Sequence, residues 1–109
     1  MDFETYQKQS RKTAMYPDKD NNFIYPTLGL VGESGEVAEK IKKVIRDKDG
    51  IVDDVTKSDV KKELGDVLWY LSQLATELNL PLDEIAVENL QKLSSRMERN
   101  KIHGEGDNR

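Results

Sequence analysis

Two pairs of acidic residues stand at the same spacing in two parts of this chain. Glu33 and Glu36 are three positions apart, and Glu63 and Asp66 repeat that spacing thirty positions later. Carboxylates are hard oxygen ligands of the kind that Mg²⁺ prefers in proteins. Two such pairs on facing helices would therefore bring four metal-ligating groups together. The repeat includes the residues around the acids, since Glu33-Ser34-Gly35-Glu36-Val37 corresponds to Glu63-Leu64-Gly65-Asp66-Val67.

The apolar residues behind the two acid pairs also recur. Ile41 and Val44 follow the first pair where Leu71 and Leu74 follow the second. At about 100° per residue, these side chains lie next to the acids around each helix, so the acids border the buried stripe. Four carboxylates that face one core repel each other and lose hydration unless a cation compensates them. We therefore predict that all four acids bind a divalent metal; the alternative is that they are surface or helix-capping carboxylates.

Four helices are predicted to position these residues, and no segment shows the alternating pattern of a strand. Ser58 or Thr56 can cap the third helix. The predicted fold is all-α, a four-helix bundle-like domain of residues 1–99 followed by a polar, glycine-rich tail of residues 100–109. The predicted helices are residues 2–14, about Thr27 to Asp47, about Asp59 to Leu78, and Pro81 to about Arg99.

The composition restricts the class of protein. The chain of 109 residues suffices for one domain, and its balance of 35% charged and 36% hydrophobic residues is typical of small amphipathic helical proteins. A net charge of −4 gives no basic surface for nucleic acid, and no apolar run is long enough to span a bilayer. There is no cysteine, which excludes disulfides and thiolate metal sites. We expect a soluble, cytoplasmic protein without nucleic-acid or membrane partners.

Longer motifs around the acids resemble a known enzyme family. The segments Leu-Gly-Leu-Val-Gly-Glu at 28–33 and Glu-Leu-Gly-Asp-Val-Leu-Trp-Tyr-Leu at 63–71 are similar to those of the MazG-type nucleoside triphosphate pyrophosphohydrolases. The resemblance covers about residues 25–109 and includes Asn89-Leu90-Gln91-Lys92-Leu93 and Gly106-Asp107-Asn108-Arg109. It implies an all-α fold, dependence on Mg²⁺ (with Mn²⁺ as an alternative), and hydrolysis of a nucleoside triphosphate to monophosphate and pyrophosphate. It also implies assembly as a homodimer or homotetramer.

The four acids suit that reaction. Carboxylates from two helices can hold one or two ions while waters and phosphate oxygens complete the coordination. A metal-activated water would then attack the α-phosphorus, with pyrophosphate as the leaving group. Glu36 is our choice for the carboxylate that orients or deprotonates this water. Since the chain has no cysteine and its single histidine lies in the tail, direct attack by water is the simpler mechanism.

Two residues near the acids are candidates for contact with the nucleotide. Lys40 follows Glu36 by four positions, which permits either a phosphate contact or an intrahelical salt bridge. Tyr70 lies about 20° from Glu63 around its helix and would line the site. Trp69 points to the opposite side, where a subunit interface is expected rather than base stacking.

Three candidates share one face of the fourth helix, namely Asn89, Lys92 and Arg96, at positions i, i+3 and i+7. Asn89 interrupts an apolar stripe, so its amide needs a hydrogen-bond partner. The resemblance favours phosphate or sugar contacts for Asn89 and Lys92. The alternative for Lys92 and Arg96 is a solvated surface.

Other functions account for less of the sequence. A non-catalytic helical dimerisation or regulatory module would explain the apolar stripes but not the repeated acids. A ferritin-like di-iron bundle needs Glu-x-x-His ligands on two helices, which His103 alone cannot supply. Within the enzyme class, a narrow-specificity dUTP or dCTP pyrophosphatase is an alternative, because no group of residues in the sequence identifies the base that is recognised. At least a dimer is expected, since four helices give a thin core and the faces of Trp69 and Thr76 need cover.

Overall fold

The computed structural model describes all 109 residues and contains four helices and no strand. The predicted all-α fold is confirmed. None of the helices combines the length and the apolar character that crossing a membrane requires. The helices are α1 (Phe3–Arg11), α2 (Ile24–Asp47), α3 (Asp54–Glu77) and α4 (Leu82–Glu98).

The helices α2 and α3 have 24 residues each and pack against each other as an antiparallel pair. Gly29 near the start of α2 contacts Tyr70 near the end of α3, whereas Ile41 further along α2 lies beside Val60. The turn between them contains Gly50, whose φ of 75° is in the left-handed region that favours glycine. This antiparallel pairing places the acids of α2 opposite those of α3.

The start of α2 differs from the sequence prediction. The helix begins at Ile24 rather than near Thr27, and Pro26 lies in its first turn. No helical hydrogen bond is lost there, because the first backbone N–H groups of a helix have no partner within it. The side chain of Asn22 satisfies one of these groups, since its Oδ1 accepts a hydrogen bond of 3.0 Å from the N–H of Tyr25. Pro26 therefore lies inside the first turn of α2, whereas the sequence analysis placed it just before the helix.

The start of α3 also differs from the sequence prediction. The helix begins at Asp54 rather than near Asp59. Its N-cap is Asp53, whose carboxylate accepts a hydrogen bond of 2.8 Å from the backbone N–H of Thr56. Thr56 and Ser58 are therefore inside the helix, and the prediction that one of them caps it was wrong.

Helix α1 is held against α3 by a buried polar network, and it ends three residues earlier than predicted. The Oγ of Ser10 lies 3.0 Å from the Oγ of Ser72 and accepts a hydrogen bond from the side chain of Gln73. Both α3 residues are fully buried. Gln7 ties α1 to the start of α4, since its Oε1 accepts a hydrogen bond of 2.8 Å from the N–H of Leu82.

The segment around α1 covers part of the α3 surface that was expected at a subunit interface. The indole N–H of Trp69 donates a hydrogen bond of 2.8 Å to the hydroxyl of Thr13. The hydroxyl of Thr76 accepts one of 3.1 Å from Gln7. Trp69 and Thr76 are each half-buried by contacts within the single chain. A subunit interface at these residues stays a prediction.

A buried carboxylate at the end of α3 fixes the segment between α1 and α2. The side chain of Glu77 is 1% exposed. It accepts hydrogen bonds from Arg11 at 2.6 Å, the hydroxyl of Tyr16 at 2.8 Å, and the backbone N–H groups of Asp20 at 3.0 Å and Asn22 at 2.6 Å. Burial alone would raise the pKa of Glu77, but these hydrogen bonds lower it to about 2.

The apolar core of the single chain is small. Many large apolar side chains stay exposed, including Leu28 and Val31 on α2 and Leu90 and Met97 on α4. The radius of gyration is 16.8 Å, compared with about 13 Å for a compact domain of this length. The chain is therefore extended, with apolar stripes that it does not bury itself. The buried apolar residues are Ala14, Tyr16, Val44, Ala75 and Leu82.

Replacing Glu77 with glutamine should lower the free energy of unfolding at pH 7 by about 3 kcal/mol, because an amide cannot replace the ionised acceptor. A carboxylate whose pKa is lowered from 4.5 to about 2 in the fold stabilises the protein above the unfolded pKa. That contribution is lost as the pH falls from 4.5 towards 2. Urea denaturation at several pH values measures this.

The matched control is Glu88→Gln, since Glu88 is exposed on α4 and forms no ion pair. Its free energy of unfolding should stay within about 0.5 kcal/mol of wild type. A deficit in Glu77→Gln that stays equally large at acidic pH would contradict the proposed role of the ionised carboxylate.

Candidate functional site

Three of the four predicted acids come together across the α2–α3 pair. Glu33 of α2 and Glu63 and Asp66 of α3 each offer a carboxylate oxygen, and these oxygens lie within 4.8 Å of one another. Glu33 and Glu63 are half-buried, whereas Asp66 is exposed. We call these three residues the acid cluster. The spacing of three positions puts both acids of α3 on one side of that helix, and the antiparallel packing brings Glu33 opposite them.

Glu36, the fourth predicted ligand, lies outside the acid cluster. Its side chain is exposed, and its carboxylate is not within the distance that joins the other three. Its charge nevertheless contributes to raising the pKa of Glu33. Glu36 is therefore near the acid cluster without belonging to it, which leaves its carboxylate free for another role.

The acid cluster has no compensating cation within the chain. Burial raises the pKa of Glu33, and the negative charges of Asp66 and Glu63 raise it further. No lysine or arginine forms an ion pair with any of the three acids, although eight ion pairs occur elsewhere in the chain. Lys40 is half-buried and forms no ion pair with Glu36. The site therefore carries an excess of negative charge on partly buried groups.

Tyr70 of α3 packs against Gly29, which lies one helical turn before Glu33 on α2. A Cβ added to Gly29 would lie 2.2 Å from the ring, so the absence of a side chain there makes room for the tyrosine. Burial raises the pKa of Tyr70, and the neighbouring Tyr25 and Glu33 raise it further. The phenol therefore keeps its proton and can donate a hydrogen bond to an anion beside the acid cluster.

The sequence analysis did not identify two further tyrosines that lie near the site. Burial and the charge of Asp66 raise the pKa of Tyr6 on α1. Tyr25, at the start of α2, adjoins Tyr70 and stacks on Tyr16 with ring centroids 5.0 Å apart. Tyr25 stands four positions before Gly29, a helical spacing that could have placed it on this side. The predicted start of α2 near Thr27 left it outside the helix.

The structure does not bring the three α4 candidates to the acid cluster. Helix α4 contacts α1 and α3 but not α2, which carries Glu33. Asn89 is exposed. Lys92 and Arg96 instead contact Asp107 in the C-terminal tail, at 3.3 and 3.5 Å from its Oδ1. A role for these residues at the acid cluster of their own chain therefore has no support in the contacts of α4.

Residues 26–100 match the family model of the MazG nucleotide pyrophosphohydrolase domain. The chain belongs to the MazG family. The matched range includes the acid cluster, Glu36, Tyr70 and the three α4 candidates. The chain is also 46% identical to the Gene 37 protein of Mycobacterium phage L5 over 114 aligned residues that span both proteins completely. The name of that protein states no activity. No solved structure matches the chain.

The donor set of this MazG domain fits a hard divalent cation. Three carboxylates offer oxygen ligands only, and neither cysteine nor histidine lies among them. Oxygen-only sites are typical of Mg²⁺, Ca²⁺ and Mn²⁺. A bound cation would also remove the repulsion that raises the pKa of Glu33. The donor set of the acid cluster is therefore compatible with a divalent metal.

A sizeable surface cavity lies elsewhere on the protein. It has a volume of about 690 Å³ and is lined by α1 and by the connection between α3 and α4. Both acidic and basic side chains line it, and no member of the acid cluster does. The candidate site is therefore defined by its chemistry and not by the size of a cavity.

Replacing Gly29 with alanine should displace Tyr70, because the new Cβ would lie 2.2 Å from its ring. We expect a loss of about 1–3 kcal/mol in the free energy of unfolding, as in other overpacked helix contacts. Gly32→Ala is the matched control, since no atom lies within 4 Å of a Cβ at that position. It should stabilise the protein by up to about 1 kcal/mol through helix propensity. Equal effects of the two substitutions in urea denaturation would refute the close contact.

Proposed function

We propose that this MazG protein hydrolyses nucleoside triphosphates between the α- and β-phosphates, releasing a nucleoside monophosphate and pyrophosphate. The observation that carries the proposal is the acid cluster, three uncompensated carboxylates within 4.8 Å on facing helices. Membership of a family of nucleotide pyrophosphohydrolases supports the substrate class. The chain also lacks the Gly-x-x-x-x-Gly-Lys-[Ser/Thr] loop that enzymes of the P-loop class use to transfer a γ-phosphate.

Glu33, Glu63 and Asp66 would hold Mg²⁺, or Mn²⁺, with Glu36 as a further ligand or as the base. When bound, the metal supplies positive charge that offsets the polyphosphate and lowers the pKa of a bound water. Because the carboxylate of Glu36 lies outside the acid cluster, it is the group best placed to take a proton from the attacking water. The water oxygen then bonds to the α-phosphorus, and the bond to the bridging oxygen of pyrophosphate breaks.

Tyr70 and Lys40 would position the substrate beside the acid cluster. The raised pKa of Tyr70 keeps its hydroxyl protonated, so it can donate a hydrogen bond to a phosphate or sugar oxygen. Lys40 follows Glu36 by one helical turn and has no partner in the chain. Its ammonium group is therefore available to a phosphate.

We further propose that the protein assembles as a homodimer or homotetramer. Leu90, Leu93 and Met97 form an exposed apolar stripe on α4, and Leu28 and Val31 stay exposed on α2. A second copy is the occupant that fits them, because the chain is more extended than a compact domain and has only a small core of its own. Assembly would also let the α4 candidates of one subunit approach the acid cluster of another.

Replacing Glu63 with glutamine should abolish metal binding and lower kcat by about 100-fold or more, because a catalytic metal contributes several kcal/mol to the transition state. The free energy of unfolding without metal should not fall, since the substitution relieves repulsion in the acid cluster. Calorimetry with Mn²⁺ and chromatography of the products from a panel of ribo- and deoxynucleoside triphosphates measure these effects.

Glu39→Gln is the control for this experiment, because Glu39 lies on α2 but pairs with Lys42 at 2.8 Å instead of joining the acid cluster. It should keep metal binding and turnover. Monophosphate plus pyrophosphate as products supports the proposal, and the preferred base separates a broad enzyme from a dUTP or dCTP pyrophosphatase. Diphosphate plus orthophosphate would refute it, and no turnover of any triphosphate would favour the regulatory-module alternative.

Light scattering at micromolar concentration should show at least a dimer, and Leu90→Asp should shift the protein towards monomer because it puts a charge into the apolar stripe. Ile51→Asp is the matched control. The two residues are almost equally exposed, at 65% for Leu90 and 67% for Ile51, but Ile51 lies in the connection between α2 and α3. A stable wild-type monomer, or equal dissociation in both variants, would contradict the assignment of the interface.

A further inference from the structure

Tyr25, in the first turn of α2, is held in place by two connections to one buried carboxylate. Its ring stacks on that of Tyr16, with the centroids 5.0 Å apart and the planes at 13°. The hydroxyl of Tyr16 donates a hydrogen bond of 2.8 Å to Oε2 of Glu77. The backbone N–H of Tyr25 donates a hydrogen bond of 3.0 Å to the side chain of Asn22, whose own N–H donates one of 2.6 Å to Oε1 of Glu77. Both oxygens of Glu77 therefore support Tyr25, although Tyr25 itself is 42% exposed.

Tyr25 in turn borders Tyr70. Burial raises the pKa of Tyr70, and the neighbouring hydroxyl of Tyr25 and the charge of Glu33 raise it further. The ring of Tyr70 packs on the backbone of Gly29 and meets the ring of Trp69 edge-on, with the centroids 5.0 Å apart. Gly29 and Trp69 thus limit where the ring can lie, whereas the hydroxyl of Tyr25 limits where the hydroxyl of Tyr70 can point.

The residues that support Tyr70 in this way precede residue 26, where the match to the MazG family model begins. Tyr16 and Asn22 belong to the connection between α1 and α2, and Tyr25 is the second residue of α2. The acid cluster and Tyr70 itself lie within the matched range. The placement of Tyr70 therefore depends on a segment that the family model does not cover.

We propose that Tyr25 is a positioning residue that acts through Tyr70 and holds its phenol at the angle at which it meets a nucleotide bound at the acid cluster. The part of the proposal that concerns the nucleotide rests on the proposed function. A contact residue that its neighbours already hold in place loses less conformational freedom when the ligand binds, so the affinity is higher. Removing the hydroxyl of Tyr25 would release that of Tyr70 without deleting a group that touches the nucleotide.

The first test needs neither nucleotide nor metal. In the free protein, the ring protons of Tyr70 should give a nuclear Overhauser contact with the α-protons of Gly29, because the ring packs on that backbone. Tyr25→Phe keeps the ring that stacks on Tyr16 and removes only the hydroxyl. We expect it to weaken the Overhauser contact, since Tyr70 then has more than one orientation.

Thr27→Val is the matched control for this substitution. It removes a hydroxyl from the same turn of α2, but that hydroxyl donates its hydrogen bond to the carbonyl oxygen of Phe23 at 2.7 Å. The Overhauser contact between Tyr70 and Gly29 should keep its wild-type strength in this variant. Equal weakening in Thr27→Val and Tyr25→Phe would overturn the proposal, because it would indicate a general loosening of the start of α2.

The second test measures whether Tyr25 acts through Tyr70. Calorimetric titration with the non-hydrolysable α,β-imido analogues of the four deoxynucleoside triphosphates, with Mg²⁺ present, gives the Kd of wild type, Tyr25→Phe, Tyr70→Phe and the double variant. Each single substitution should weaken binding of the preferred analogue about fivefold, which is the typical effect of one hydrogen bond. The double variant should bind no more weakly than Tyr70→Phe, because Tyr25 has no role once the hydroxyl that it orients is gone. Thr27→Val should stay within about twofold of wild type.

The two tests separate this proposal from the proposed function. An Overhauser contact of unchanged strength in Tyr25→Phe would overturn it, and so would losses of affinity that add in the double variant. If the wild type binds none of the four analogues, the proposed function fails together with the role towards the nucleotide, while the Overhauser contact still decides whether Tyr25 positions Tyr70. An active pyrophosphohydrolase whose Tyr25→Phe variant binds the analogue as tightly as wild type would disprove only the role of Tyr25.

Discussion

The mutual repulsion of Glu33, Glu63 and Asp66 is the constraint to which the rest of the structure responds. Three carboxylates within 4.8 Å push α2 and α3 apart unless other contacts hold the helices together. Those contacts lie at both ends of the pair. Near one end the ring of Tyr70 packs against the backbone of Gly29, and at the other end Val44 is buried. The scaffold thus keeps together a site that electrostatics alone would disperse.

Two glutamates in this chain show how the environment moves the pKa of a carboxylate in opposite directions. Glu77 is almost completely buried but accepts four hydrogen bonds, two of them from backbone N–H groups, and its pKa is lowered to about 2. Glu33 is less buried, faces other carboxylates, and has a raised pKa. A carboxylate with satisfied acceptors stabilises the fold. One that is left uncompensated beside others of its kind is a candidate for binding a cation.

Periodicity and residue type predicted the features that depend on local spacing. The repeat of acids and apolar residues predicted the two long helices. It also predicted that the acids meet, as three of the four do, because residues three positions apart lie on the same face of a helix. Features that depend on tertiary contacts were not predictable in this way. Helix α2 starts three residues earlier than predicted, after a hydrogen bond from the N–H of Tyr25 to the side chain of Asn22, and Tyr25 lies beside Tyr70. The hydrogen bond of Trp69 to Thr13 covered a surface that periodicity alone left open.

Two features of the isolated chain are unsatisfied, namely the negative charge of the acid cluster and the exposed apolar stripes. A different partner would satisfy each of them. The acid cluster lacks positive charge, which a divalent cation and the groups around it can supply. The apolar stripes on α2 and α4 lack cover, which a second copy can supply. Lys92 and Arg96 are relevant to both features. They lie on α4, which carries one of the exposed apolar stripes and does not contact α2. If an oligomer buries α4 against a neighbouring subunit, that contact would determine which subunit's acid cluster lies near Lys92 and Arg96. Binding of the nucleotide and assembly of the subunits would then be thermodynamically linked, since each would stabilise the other.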